Sequence, residues 1–165
     1  SGNEGLMIKK LSAPYKPGAR VGFMVKLKPT KENLDLVIIK AEWGEGKRSK
    51  WLSSYTLAWR DSEGSFLEVG KASTGLKEKR EEGLSFAEMT ELLKPLIKEE
   101  EGKEVMLKPR IVIEVGYEEI QKSPTYTSGY ALRFPRVICL REDRGPDNIS
   151  ALKMVESFYN QQKKK

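Results

Sequence analysis

The chain has 165 residues, 38% hydrophobic and 33% charged, with 30 Lys and Arg against 24 Asp and Glu and a formal charge of +6; its pI is near 9.3. That length suits one well-packed domain with an appendage rather than two domains with separate cores, and the basic balance permits an anionic partner but equally fits a thermophile's ion-paired surface. Histidine is absent and Cys139 is the only cysteine, which excludes Ser-His-Asp triads, Cys-His dyads, internal disulfides and most zinc sites.

Any chemistry must therefore run on carboxylates, lysines, arginines and a cofactor. No apolar run is long enough to span a bilayer, and the N-terminus lacks a basic-then-apolar signal. The expectation is an intracellular protein with no membrane partner, cytoplasmic in a prokaryote or archaeon.

Glu4-Gly-Leu-Met-Ile-Lys9 has a short apolar strand pattern and begins abruptly, as a piece of a longer chain would. A turn-rich segment, Ala13-Pro-Tyr-Lys-Pro-Gly-Ala-Arg20, leads to Phe23-Met-Val-Lys-Leu-Lys28-Pro29. Alternation along a strand puts Lys26 and Lys28 on one face. A shared anion such as phosphate offsets their mutual repulsion. Pro29 to Asn33 reads as a hinge.

Strand patterns resume at Leu34–Trp43, Tyr55–Arg60 and Phe66–Ala72, the last two joined hairpin-style through Asp61-Ser-Glu-Gly64. Between the first two lies a glycine-bounded loop carrying Lys47, Arg48 and Lys50. Ser85-Phe-Ala-Glu88 is a capping-box signature, and Phe86, Met89, Leu92, Leu93, Leu96 and Ile97 follow at helical spacing until Pro95 bends or limits the last turns. From Ile111 to Arg144, two strand-like runs flank a polar, aromatic loop, and Arg133, Arg136, Arg141 and Arg144 fall within twelve residues alongside Phe134. Guanidinium groups bind phosphate oxygens in pairs, and an exposed aromatic ring stacks on a base or wedges into a groove; a merely solvated, charged hairpin is the competing reading. Cys139, inside Val137-Ile-Cys-Leu140, reads as a small core hydrophobe. An amphipathic segment with Ile149, Leu152, Val155 and Phe158 or Tyr159 on one face closes the chain before a solvated tail, Gln161-Gln-Lys-Lys-Lys165.

The order of strands, with one helix after the third strand counted from Leu34, matches a five-stranded Greek-key barrel of the OB type with the helix between strands 3 and 4, a mainly β (α+β) fold. An α+β sandwich is the other candidate. The motifs also resemble a known set. Glu4–Lys9 resembles nucleotidyltransferase motif IV, and Met24–Pro29 resembles motif V. Leu34-Asp-Leu-Val-Ile-Ile with Ala41-Glu-Trp-Gly-Glu-Gly-Lys-Arg48, then Glu118–Pro124, Ser128–Arg136 and Arg141-Glu-Asp-Arg144, follow in the order seen in the C-terminal part of archaeal and eukaryotic-type ATP-dependent DNA ligases.

That resemblance implies three parts: residues 1–29 as the end of an adenylation domain, 33–147 as an OB-fold DNA-binding domain, and 148–165 as a C-terminal helix with a basic tail. It implies roles as well. Glu4 helps place a divalent metal, Mg2+. Lys26 and Lys28, with Arg20, contact the nucleotide phosphates. Arg141 and Arg144 of motif VI orient the pyrophosphate of ATP. Lys47, Arg48, Arg133 and Arg136 meet the DNA backbone, with Phe134 in the minor groove of a nicked duplex.

The family's Lys-x-Asp-Gly nucleophile motif is absent, so by resemblance it lies in an upstream adenylation domain and this chain does not seal DNA alone. A sliding clamp is a further candidate partner. Arg144 replaces the usual motif VI lysine, Lys40, Lys50 and Ser73 stand where glycine is expected, and Ser150 where an acid is usual. The added lysines are candidates to strengthen DNA binding, and the missing acid to loosen the C-terminal helix's docking against the adenylation domain. The competing functions are a stand-alone OB-type binding module without catalysis and another nucleotidyltransferase such as an RNA ligase or capping enzyme.

Overall fold

A computed structural model of the chain describes residues 6–14, 17–18, 22–27 and 32–163, the side chains of Lys26 and Lys163 excepted. They fall into two compact units, one drawn from residues 1–31 and the other from 32–164.

In the first unit, β1 (Leu6–Lys9) and β2 (Met24–Leu27) form an antiparallel ribbon with Leu6 opposite Leu27 and Lys9 opposite Met24. Leu6, Met7, Ile8, Val25 and Leu27 are all about half exposed or more. A two-stranded ribbon is marginal on its own in water.

The second unit is built on β3 (Leu34–Trp43), which is long because its alternation is carried by β-branched and leucine side chains without a breaker. Register shifts at Ile38/Lys40 and Glu42/Trp43 bend it. Bending lets its first half pair with β8 (Val112–Gly116) and its second half with β7 (Glu104–Leu107), while β4 (Leu52–Arg60) runs along its other edge. The hairpin from β4 to β5 (Phe66–Ala72) turns where Asp61 Oδ1 accepts the amides of Glu63 and Ser65 at 2.9 and 2.8 Å.

α1 (Phe86–Leu93) begins at the expected capping box: the Glu88 amide donates to Ser85 Oγ at 3.2 Å, and the Ser85 amide donates to Glu88 Oε2 at 2.9 Å. Pro95 ends it through a short 3-10 turn, Lys94–Leu96. Ile97, expected on the helix, instead opens β6 (Ile97–Glu101), which forms a hairpin with β7 over Gly102. The run Glu99-Glu-Glu101 carries no hydrophobic alternation, so this hairpin leaves no sequence signal.

The stretch from Ile111 to Arg144 holds four strands rather than two: β8, β9 (Glu119–Lys122), β10 (Tyr130–Arg133) and β11 (Arg136–Leu140). β9 and β10 make a separate ribbon, and β11 joins the main sheet through β8. The fold is mainly β with an OB-type layout, but the main sheet has seven strands, ordered β11-β8-β3-β4-β5 with β7 and β6 branching from β3. The expected count of five omitted β6, β7 and the β9–β10 ribbon.

Beyond β5 the chain closes onto β11, where the Val137 amide donates to the Thr74 carbonyl at 2.9 Å. Gly75 is required there, because its φ is +104° and a Cβ would lie 2.0 Å from the Val137 carbonyl oxygen. Leu34, Leu36, Ile38, Tyr55, Leu57 and Trp59 fill the core with α1's Met89 and Leu93. α2 (Leu152–Lys163) belongs to this unit, with Val155 fully buried in the same core and Tyr159 edge-on to Tyr130 at 5.2 Å. Gln162, expected in a solvated tail, both donates to and accepts from the Ile120 backbone at 3.0 Å.

Candidate functional site

β10 and β11 are joined by only Phe134 and Pro135. So tight a link forces Phe134 to φ +50°, the only positive φ of a non-glycine among the described residues. For a bulky residue this is an outlier, and strain of this kind persists where the surrounding structure over-determines it. The ring is nonetheless 62% exposed, so the strained backbone holds an apolar surface out into solvent.

Arg133 lies over that ring, guanidinium carbon 5.2 Å from its centroid, and reaches Glu119 at 3.4 Å. The exposed Arg133–Glu119 pair contributes at most about 1 kcal/mol, so giving it up costs little. Arg136 is exposed with no salt bridge among the described residues. It sits beside Gly116, where a Cβ would come 3.3 Å from Arg136 Nε, so glycine leaves room for the guanidinium.

The other end of β11 is different. Arg141 and Arg144 flank a turn closed by the Arg144 amide donating to the Arg141 carbonyl at 3.2 Å. Arg141 grips Asp143 through Nε and Nη2, both at 2.9 Å, and reaches Asp35 Oδ1 through Nη1 at 3.0 Å. Arg144 Nη1 takes the other oxygen of Asp35 at 2.8 Å. Hydrogen bonding from Arg141 holds the Asp143 carboxyl down at about 2, and the same contact raises the Arg141 guanidinium further above its ordinary range.

Glu114 borders the cluster. It accepts from Asn33 at 2.6 Å and from the Cys139 thiol at 3.2 Å. Those two bonds, Asn33 first, lower its pKa. Burial and then the bond to Glu114 push the Cys139 thiol up; Cys139 is half-buried rather than a fully buried core residue.

The loop after β3 divides its cations. Lys47 is exposed, with no salt bridge among the described residues. Arg48 stacks 4.6 Å from the centroid of buried Phe86 and forms an exposed pair with Glu78 at 3.0 Å. Lys40 pairs with Glu68 at 3.0 Å, and Lys50 is exposed. Ser150 is buried; it accepts the Asp35 amide at 3.0 Å and donates its own amide to the Asp35 carbonyl at 2.9 Å, fastening the lead into α2 to β3.

Glu4, Arg20 and Lys28 lie outside the described residues. Lys26 has only its backbone described, in β2 opposite Met7. Sequence reasoning missed Asp35, Asp143, Glu78 and Glu119. Asp35 alone left a signal, as a single acid inside the apolar run from Leu34 to Ile39. Among the described residues, no group of three or more His, Cys, Asp or Glu is arranged to hold a metal, and no helix is long and apolar enough to cross a membrane.

The family model for the ATP dependent DNA ligase C terminal region matches residues 48–144. A DNA ligase of Nanoarchaeum equitans (strain Kin4-M) is 58% identical over 165 residues, covering 98% of this chain and 29% of that protein. A DNA ligase of Thermococcus fumicolans is 49% identical over 164 residues, covering 99% of this chain and 28% of that protein. The chain therefore spans less than a third of the length of these relatives. The crystal structure of the ligase domain from M. tuberculosis LigD superposes with a TM-score of 0.59 at 28% identity, over 89% of this chain and 47% of that one.

Proposed function

The chain belongs to the ATP-dependent DNA ligase family, as its C-terminal region, and on that premise we propose that it clamps nicked duplex DNA with one end of β11 and serves lysine adenylation with the other. Residues 1–29 end the adenylation domain of the same protein, and the unit from Glu32 onward is the DNA-binding OB domain. The half-exposed apolar ribbon of β1 and β2 supports this division, since such a ribbon needs a larger body to cover it.

The observation that carries the reading is the difference between the two arginine pairs. Arg133 and Arg136 flank an exposed aromatic ring on a strained backbone and carry, among the described residues, one weak ion pair, as contact with a phosphate backbone and a groove requires. Arg141 and Arg144 share one carboxylate and lie near a second, an arrangement suited to neighbouring phosphate oxygens. Lys47 extends the DNA-facing set, whereas Arg48 shapes the loop through Phe86.

Phosphoryl transfer depends chiefly on positioning and charge neutralisation, so cations without a histidine are chemically sufficient. Lys26, Lys28 and Arg20 contact nucleotide phosphates from the first unit, and Glu4 with Mg2+ belongs to the same adenylation site. The reaction seals nicks in replication and repair. A stand-alone DNA-binding module has no need of Arg141 and Arg144.

In the full-length ligase, Arg141→Ala lowers self-adenylation by about 100-fold or more and largely spares sealing of pre-adenylated nicks. Equal loss of both steps refutes the assignment.

A further inference from the structure

Among the described residues, Asp35 is the one acid within 3.0 Å of both motif VI arginines, with Oδ1 on Arg141 at 3.0 Å and Oδ2 on Arg144 at 2.8 Å. We propose that Asp35 is a positioning residue whose carboxylate sets the spacing of Arg141 and Arg144, so that the pair meets adjacent phosphoryl oxygens of a nucleoside triphosphate. This rests on the assignment of those arginines to the nucleotide.

Two guanidinium groups side by side repel each other, and a carboxylate dividing its oxygens between them fixes how far apart they stand. Asp35 is suited to remain in place. Its side chain is only 13% exposed, and its residue is held in β3 with both its amide and its carbonyl bonded to Ser150. Asp143 is 65% exposed and lies in the turn between the two arginines.

The charges also require one carboxylate to leave. Asp35, Asp143 and Glu114, the last 3.9 Å from Arg141, stand against two guanidiniums, leaving the cluster net negative toward an incoming polyphosphate. Asp143 occupies the Nε–Nη2 edge of Arg141, the edge a phosphate takes in bidentate pairing. Asp143 is therefore the placeholder that a phosphate displaces, and Asp35 is the spacer that stays. Arg144 adds free donors, since only Nη1 lies within 3.0 Å of a carboxylate.

The test is single-turnover self-adenylation of the full-length ligase with ATP, alongside sealing of a pre-adenylated nick and thermal melting. Asp35→Asn keeps the shape but puts an amide donor against one guanidinium; it should lower kcat/KM for ATP by about 10- to 100-fold and leave sealing within about twofold. In an Arg144→Ala background, where nothing remains to be spaced, Asp35→Asn should cost less than about threefold more. Wild-type adenylation in Asp35→Asn overturns the proposal. So does a parallel fall in both steps with a lowered melting temperature, or a full additive loss in the double variant. Arg141→Ala in the same assay separates the two claims: if it adenylates normally, the parent assignment fails; if it is impaired while Asp35→Asn is not, only the spacer role fails.

Discussion

Phe134→Gly separates what this residue does for the fold from what it does for DNA. A left-handed φ of +50° costs an L residue about 1–2 kcal/mol that glycine does not incur. Against that gain, the ring is 62% exposed, and the covered remainder contributes roughly 0.5–1 kcal/mol. The contact with Arg133 is worth about 0.5–1 kcal/mol at an exposed site, and glycine's extra unfolded-state freedom costs about 0.5–1 kcal/mol. The net change runs from about 0.5 kcal/mol stabilising to about 2 kcal/mol destabilising, a fall in melting temperature of at most roughly 8 °C for a chain of this size.

Binding follows a different scale, because an aromatic ring stacked on or wedged against bases is worth about 1–3 kcal/mol, or roughly 5- to 150-fold in affinity. Fluorescence anisotropy with a labelled nicked duplex and calorimetry on the same full-length protein read the two effects separately. Unchanged affinity, or a melting temperature lowered by more than about 8 °C, would show that Phe134 is held in its strained conformation for packing rather than for DNA.

Arg48→Ala should cost about 1 kcal/mol of stability through the lost stacking on Phe86 and the Glu78 pair, seen in urea melts, without altering how DNA affinity depends on salt; Arg136→Gln should instead reduce that log–log slope by about 1. A slope change in Arg48→Ala returns it to the DNA-facing set. The Asp143 carboxyl is held at about 2 in the folded state and Glu114 is also lowered. The stability each contributes is therefore present above the ordinary carboxylate range near 4 and is lost as pH falls toward 2. Urea melts of wild type and Asp143→Asn should differ at pH 6 and converge near pH 2. An equal gap at both pH values refutes the ion-pair account.

The capping box at Ser85, the Asp61 hairpin and the aliphatic run of β3 were legible because each is a local rule: a side-chain cap, a turn residue, an alternation. The β6–β7 hairpin was not, since its strand carries Glu99, Glu100 and Glu101 outward and is held by pairing with β7, which in turn pairs with β3. The candidate site divides in the same way. Phe134 and its flanking arginines could be picked out as an aromatic among cations, but the strain that presents the ring depends on the two-residue link between β10 and β11. Arg48 looked like its neighbour Lys47, and only the position of Phe86 and Glu78 separates them. Asp35 meets Arg141 from 106 positions away, and no spacing rule links residues so far apart.

β11 joins the two arginine sets, and its length limits what they can do together. From Arg136 to Arg141 the chain advances five residues, about 17 Å at the rise of an extended strand. That is too far for both sets to hold one phosphate group and too rigid for either to swing to the other's ligand, since β8 pairs along β11 and Val137 is tied to Thr74. The sets differ in pairing as well as position: Arg136 is free of salt bridges among the described residues, while Arg141 and Arg144 are neutralised by Asp35 and Asp143. A ligand at one end therefore meets a surface ready to bind, and a ligand at the other must first displace an internal carboxylate. Under the proposed function, the two ends of β11 therefore act on different ligands, because nothing within β11 can bring its ends together.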